Sequence, residues 1–189
     1  MRENLDRAMS LLVVLEGGSV HHVEGDPGGQ TGGRGVTQST YDRFRRGKRL
    51  RLQSVANMSY AEETEILKAG YWDVCHCDDL PSELDLVVFQ YAVNRGPNKA
   101  IRLLQRGLGV KADGIIGPIT EMEAYCCDHE LVIEKLLDYM VAWYGTKRKR
   151  DKFTDGLVNR VIKTAEFLDF PYSIPDEIVQ EIESLKEKS

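Results

Sequence analysis

Residues 82–109 read SELDLVVFQYAVNRGPNKAIRLLQRGLG. Leu84, Val87, Val88 and Tyr91 recur three and four residues apart, the spacing of one face of a helix. Ser82 stands where an N-cap would open that helix. The run stops near Gly96, and Pro97 then occupies a position suited to the first turn of a second helix, which closes at Gly109. This stretch is helix, turn, helix.

The same period recurs outward in both directions. Toward the N-terminus, Leu5, Met9, Leu12 and Val13 predict a helix over residues 3–16. Ser59 with Glu62 forms a capping-box signal ahead of YAEETEILKAGYW, and Thr120 with Glu123 forms another. Asp128 opens the amphipathic run DHELVIEKLLDYMVAWYG, and a further helix runs through DGLVNRVIKTAEFL. Beyond Pro171 and Pro175, the stripe of Ile178, Ile182 and Leu185 predicts a short tail helix that docks on the body or on another subunit. No strand signal is comparably strong, although the glycine-rich loop 17–35 has room for a small hairpin. The expected class is all-α. A lobe boundary is expected near residue 85, giving lobes 1–85 and 86–168 and an acidic tail 169–189.

Composition narrows the function. The formal net charge of −5 gives no general pull toward nucleic acid. Two basic runs, Arg43 to Arg51 and Lys147 to Lys152, read as solvated faces. The apolar run from Met9 to Leu15 is too short to span a bilayer, so no membrane insertion is expected. No signal peptide is recognised, which places the expected protein in the cytoplasm until it is released. Cys75, His76, Cys77, Cys126, Cys127 and His129 match no standard zinc spacing. Reduced, mostly buried thiols and no metal are expected. His21 and His22 lack an evident third ligand.

The glycine-rich loop follows an odd helix end. Glu16 continues the stripe of Leu5, Met9 and Leu12, and two glycines follow it. A helix built only for stability favours a cation there and keeps its acid for the start. A carboxyl on an apolar face must find a partner or hold a proton. A held proton is what a general acid for glycosidic cleavage gives away. Gly17 and Gly18 strip bulk from beside it, so a polymer can approach. Asp26, Gln30 and Thr31 follow in a loop that must fold back toward the helix end, where a second polar group can position a water.

LEGGSV, DPGGQT, RGVTQSTYDRFRR, YWDVCHCDDLP, VVFQYAVNRGPNKAIRLLQRGLGV and ADGIIGPIT occur in that order over residues 15–120. Together they resemble the N-acetylmuramidases of glycoside hydrolase family 108, known from phage endolysins and secretion-associated muramidases. The resemblance implies a lysozyme-like helical fold and cleavage of the bond between N-acetylmuramic acid and N-acetylglucosamine in peptidoglycan. It implies Glu16 as the catalytic acid, Asp26 and Thr31 as supporting catalytic groups, and no cofactor. It also implies that the first lobe is catalytic and the second binds peptidoglycan. It draws Tyr71 and Trp72 toward the cleft with Gln30, and Asn94 is a candidate hydrogen-bond partner for an acetamido group. The chain departs from the family at Ser19, where relatives carry an aromatic residue, and at Leu157, where they carry tryptophan. A lytic transglycosylase and a non-catalytic peptidoglycan-binding protein are the alternatives. Oligomeric state is open.

Overall fold

The computed structural model describes residues 2–16, 21–22, 30–31, 35–145 and 152–186. Helices α1 (Arg2–Glu16), α2 (Gln38–Gly47), α3 (Tyr60–Leu67), α4 (Leu84–Arg95), α5 (Pro97–Leu108), α6 (Pro118–Cys126), α7 (His129–Gly145), α8 (Lys152–Phe167) and α9 (Asp176–Lys186) make up nearly all the regular structure among these residues. Strands β1 (His21–His22) and β2 (Gln30–Thr31) pair antiparallel, His21 opposite Thr31. The fold is all-α and lysozyme-like, with the small hairpin that the glycine-rich loop allows.

Helix α4 is the axis of the fold. Every residue from Leu84 to Ala92 is buried, as expected of a helix surrounded by others on all sides. α1, α5 and α7 pack against it, α8 covers α1 and α7, and α9 lies on α7. One cluster of buried side chains runs from Leu5 through Phe89 and Leu136 to Ala165. Gly96 serves both α4 and α5, at φ +90°, a backbone conformation that side chains with a Cβ resist. Gly107 has a different task. A Cβ there would lie 2.7 Å from Leu136 Cδ2, so the missing side chain is what lets α7 close on α5.

The Ser59–Glu62 capping box forms as expected, with both reciprocal bonds present. Asp128 also caps α7, accepting from Leu131 N at 3.1 Å. Two other caps do not form. α4 begins at Leu84 behind Glu83, which sits at φ +72° without a side-chain cap, so Ser82 lies one residue too early. α6 begins at Pro118 behind Gly117, and Thr120 is a buried residue inside it. The reason is Gln105. Its amide donates to Asp113 Oδ1 (2.9 Å), Ile115 O (3.0 Å) and Thr120 Oγ1 (3.3 Å) while accepting from Gly114 N (2.8 Å). One buried side chain thus holds the Asp113–Gly114 turn and takes up the Thr120 hydroxyl. Val13 also departs from the expected stripe, being exposed, while Ala8 and Leu11 are buried.

Half of the cations in the basic run from Arg43 to Arg51 are compensated. Arg45 pairs with Glu62 at 2.6 Å, Arg46 with Asp42 at 3.7 Å, and Lys48 with Glu65. The run from Lys147 to Asp151 lies outside the described residues. In the tail, Ile178 packs on the core as expected; the side chains of Ile182 and Leu185 are outside the described set.

Asp85 is buried at the α1–α4 junction, accepting from Asn4 Nδ2 (2.8 Å) and Leu86 N (2.7 Å). Burial pushes its carboxyl up from 3.8 to about 6, against those two bonds. As pH rises, the unfolded chain gives up this proton first. The stability contribution of the neutral acid is therefore full below 3.8 and lost above about 6. The difference corresponds to at most about 3 kcal/mol. Asp85→Asn, with Asn4 turning its amide over, is expected to melt higher than wild type at about pH 7.5, the gap closing near pH 4. A variant less stable than wild type at the higher pH contradicts this.

Candidate active site

Glu16 is the last residue of α1, with its side chain 28% exposed. Its partner comes from 144 residues along the chain: Arg160 Nη1, on α8, bonds to Glu16 Oε1. The Arg160 side chain is only 8% exposed. Its Nε donates to Gln90 Oε1 at 3.2 Å, and Gln90, buried in α4, points its own amide at Met140 Sδ (3.4 Å). Arg160 Nη2 is buried and has no hydrogen-bond partner among the described residues. Of the two outcomes open to a carboxyl on an apolar stripe, the structure realises the partner. That partner is a cation which no residue near Glu16 in the sequence supplies.

One turn further along α4 stands Asn94, whose Oδ1 accepts from the Tyr144 hydroxyl at 2.8 Å. Burial raises the Tyr144 hydroxyl well above its usual range, so it stays a donor. Asn94 is half-buried, and the helix cap is made by Gly96. Its carbonyl is taken, which leaves its NH₂ as the group able to meet an acetamido carbonyl. The glycine-rich loop departs from Glu16 and returns at Gly35, where an added Cβ would lie 3.6 Å from Val93 Cγ1. The returning end of the loop thus meets α4 at the residue before Asn94.

The remaining expected residues divide sharply. Asp26 lies outside the described residues. Gln30 and Thr31 form β2, which runs beside the turn Val55–Asn57; only their backbone is described. Tyr71 is half-buried in a π turn (Lys68–Trp72), its hydroxyl raised by burial and opposed by Arg43. Trp72 requires a correction. It is fully buried and packs edge-on to Phe89, centroids 5.3 Å apart, so it offers no face to a saccharide. Cys75 and Cys77 are buried free thiols, whereas Cys126 is exposed, contrary to the expectation of burial. His76 turns outward, 3.6 Å from Asp79 and 3.9 Å from Glu121.

Arg160, Gln90 and Tyr144 were not singled out by the sequence reading. A signal existed for the first: Arg160 sits on the stripe of Leu157, Val161, Thr164 and Ala165, where an isolated cation needs a buried anion.

Residues 9–96 match the family described as Glycosyl hydrolase 108. This span holds Glu16, the hairpin, Gln90 and Asn94. Over this span the chain is similar to the glycosyl hydrolase 108 family. The structure is also similar to that of Brucella abortus SagA, with 27% identity and a TM-score of 0.74, covering 92% of this chain and 98% of that one. No curated protein matches the sequence. The protein is therefore a glycoside hydrolase, with the peptidoglycan-hydrolase activity of that family. Arg160 lies beyond the matched span, yet it is bonded to the acid within it.

Replacing Arg160 by Met keeps much of the volume and removes the bonds to Glu16 and Gln90. Leaving Gln90 and a partly exposed carboxylate without their donor is expected to cost about 1–3 kcal/mol, with lowered activity in the folded fraction. Denaturant unfolding checks the first and turnover per folded molecule the second. Wild-type values for both count against the pairing.

Proposed function

We propose that the protein is an N-acetylmuramidase that cleaves the β-1,4 bond between N-acetylmuramic acid and N-acetylglucosamine, with Glu16 as general acid. The observation that carries this reading is the placement of Glu16. It ends α1 inside the family-matched span, part exposed, at the start of the glycine-rich loop, and is held by Arg160. Glu16 gives its proton to the glycosidic oxygen as the bond to C1 breaks, and a water adds to C1. The Arg160 guanidinium is bonded to the carboxyl that gives this proton. The same guanidinium then stabilises the carboxylate left after transfer. Asp26 or Thr31, in the glycine-rich loop that follows α1 in sequence, positions the water. The Asn94 amide holds an acetamido group, and Gln30 and Tyr71 line the sugar path.

The lobe 86–168 is proposed to hold the polymer while 1–85 cleaves it. Among the described residues no helix is long and apolar enough to cross a membrane. A phage endolysin that waits in the cytoplasm for holin-type release fits this reading, as does an enzyme used in secretion. Dye-labelled sacculi test the activity directly. Release of soluble dye by wild type supports the hydrolase; tight binding with no release identifies a peptidoglycan-binding protein instead.

A further inference from the structure

Behind the Asn94–Tyr144 pair, α4, α5 and α7 enclose a groove of about 280 Å³. Each helix lines it with residues at helical spacing: Tyr91 and Arg95 from α4, Lys99, Arg102 and Arg106 from α5, Tyr139 and Trp143 from α7. The groove holds four cations in a chain whose net charge is −5. Among the described residues no carboxylate pairs with any of them, whereas Arg45, Arg46 and Lys48 of the α2 run each have one.

Neutral partners hold two of these cations in place. The Arg95 guanidinium lies 3.6 Å from the centroid of the Trp143 ring, and Arg95 also bonds the Tyr91 hydroxyl. Its Nε is buried without a hydrogen-bond partner among the described residues. Arg102 is fixed by Asn98 Oδ1 at 3.0 Å and by the carbonyl of Ala112. Lys99 and Arg106 are exposed at the rim. Like charges brought together without counter-charge repel, and an anion that enters relieves the repulsion. Stacking on tryptophan holds the planar guanidinium in one orientation, ready for a carboxylate fork.

We infer that this groove binds the carboxylates of the peptide stem carried by the glycan strand. The inference rests on the peptidoglycan reading above. Its position argues for the stem over a free phosphate polymer. Arg95 and Trp143 are the chain neighbours of Asn94 and Tyr144, and Asn94 is about one helix turn, a rise of about 6 Å, from the Gln90 that bonds Arg160. A stem hanging from a sugar held beside Glu16 falls within reach of the groove, while the sugar backbone itself has no charge for it to read.

The test is co-sedimentation of Glu16→Gln protein, which binds without needing to cleave, with intact Gram-negative sacculi and with sacculi stripped of peptide by an amidase. The comparison is the exposed-residue variant Lys99→Glu/Arg106→Glu in the same background, with thermal melting as folding control. Expected is about a tenfold loss of affinity for intact sacculi and a much smaller one for stripped glycan, whose carboxylates are only the lactyl groups on the sugar itself, the difference vanishing at high salt. Unchanged binding to intact sacculi overturns the proposal. Equal loss on both substrates overturns it too, as does displacement by polyphosphate at concentrations where soluble stem peptide has no effect. Dye release by wild type, measured separately, shows whether the hydrolase reading itself has failed.

Discussion

Glu16→Gln is expected to lower the rate of peptidoglycan cleavage by about a hundredfold to ten-thousandfold, the usual contribution of a positioned general acid. The substitution keeps the shape, and the amide oxygen can still accept from Arg160 Nη1. What it removes is the transferable proton and half of an ion pair. The side chain is 28% exposed, so water softens the loss of charge, and melting is expected to stay close to wild type. The contrast between a large kinetic effect and a small thermal one is the signature. Initial rates of dye release, with melting curves on the same samples, measure both. Wild-type release by the folded variant means the acid lies elsewhere.

Trp72→Ala is expected to do the opposite, costing about 3–5 kcal/mol of stability. Trp72 is fully buried, edge-on to Phe89 on the central helix, and the truncation leaves a large cavity there. For a chain of this size, that lowers the melting temperature by roughly ten degrees or more. Trp72→Phe is the informative companion. Trp72 Nε1 is buried without a partner among the described residues, so phenylalanine removes an unsatisfied donor along with some volume. It should melt near wild type and cleave with an unchanged KM. A raised KM at normal stability would restore Trp72 to the sugar path.

These two predictions mark what could be read from the chain and what could not. Most helices were legible because apolar spacing repeats along them, and because Pro97 and Gly109 punctuate the central pair, whereas α2, with only Tyr41 and Phe44 as apolar residues, was not. Glu16 was legible as a break in a rule, an acid on an apolar face at the wrong helix end. Its partner was not, because periodicity is a local signal and Arg160 lies 144 residues away. Each is an anomaly on its own stripe, and only the packing of α8 beside α1 shows that they answer one another. Trp72 misled for a related reason. An aromatic residue at the end of a helix has the same local pattern whether it faces solvent or the core, and the π turn at Lys68–Trp72 is what rotates it inward. The caps at Ser82 and Thr120 failed where tertiary contacts, above all those of Gln105, overrode a local preference.

The most direct test of the central claim is mass spectrometry of the fragments released from sacculi by wild type and by Glu16→Gln, before and after borohydride reduction. Hydrolysis leaves a free reducing N-acetylmuramic acid end that takes up hydrogen on reduction. The expected result is such ends from wild type and almost none from the variant at equal time. Fragments lighter by one water that resist reduction, closed to the anhydro sugar, would contradict hydrolysis and identify a lytic transglycosylase.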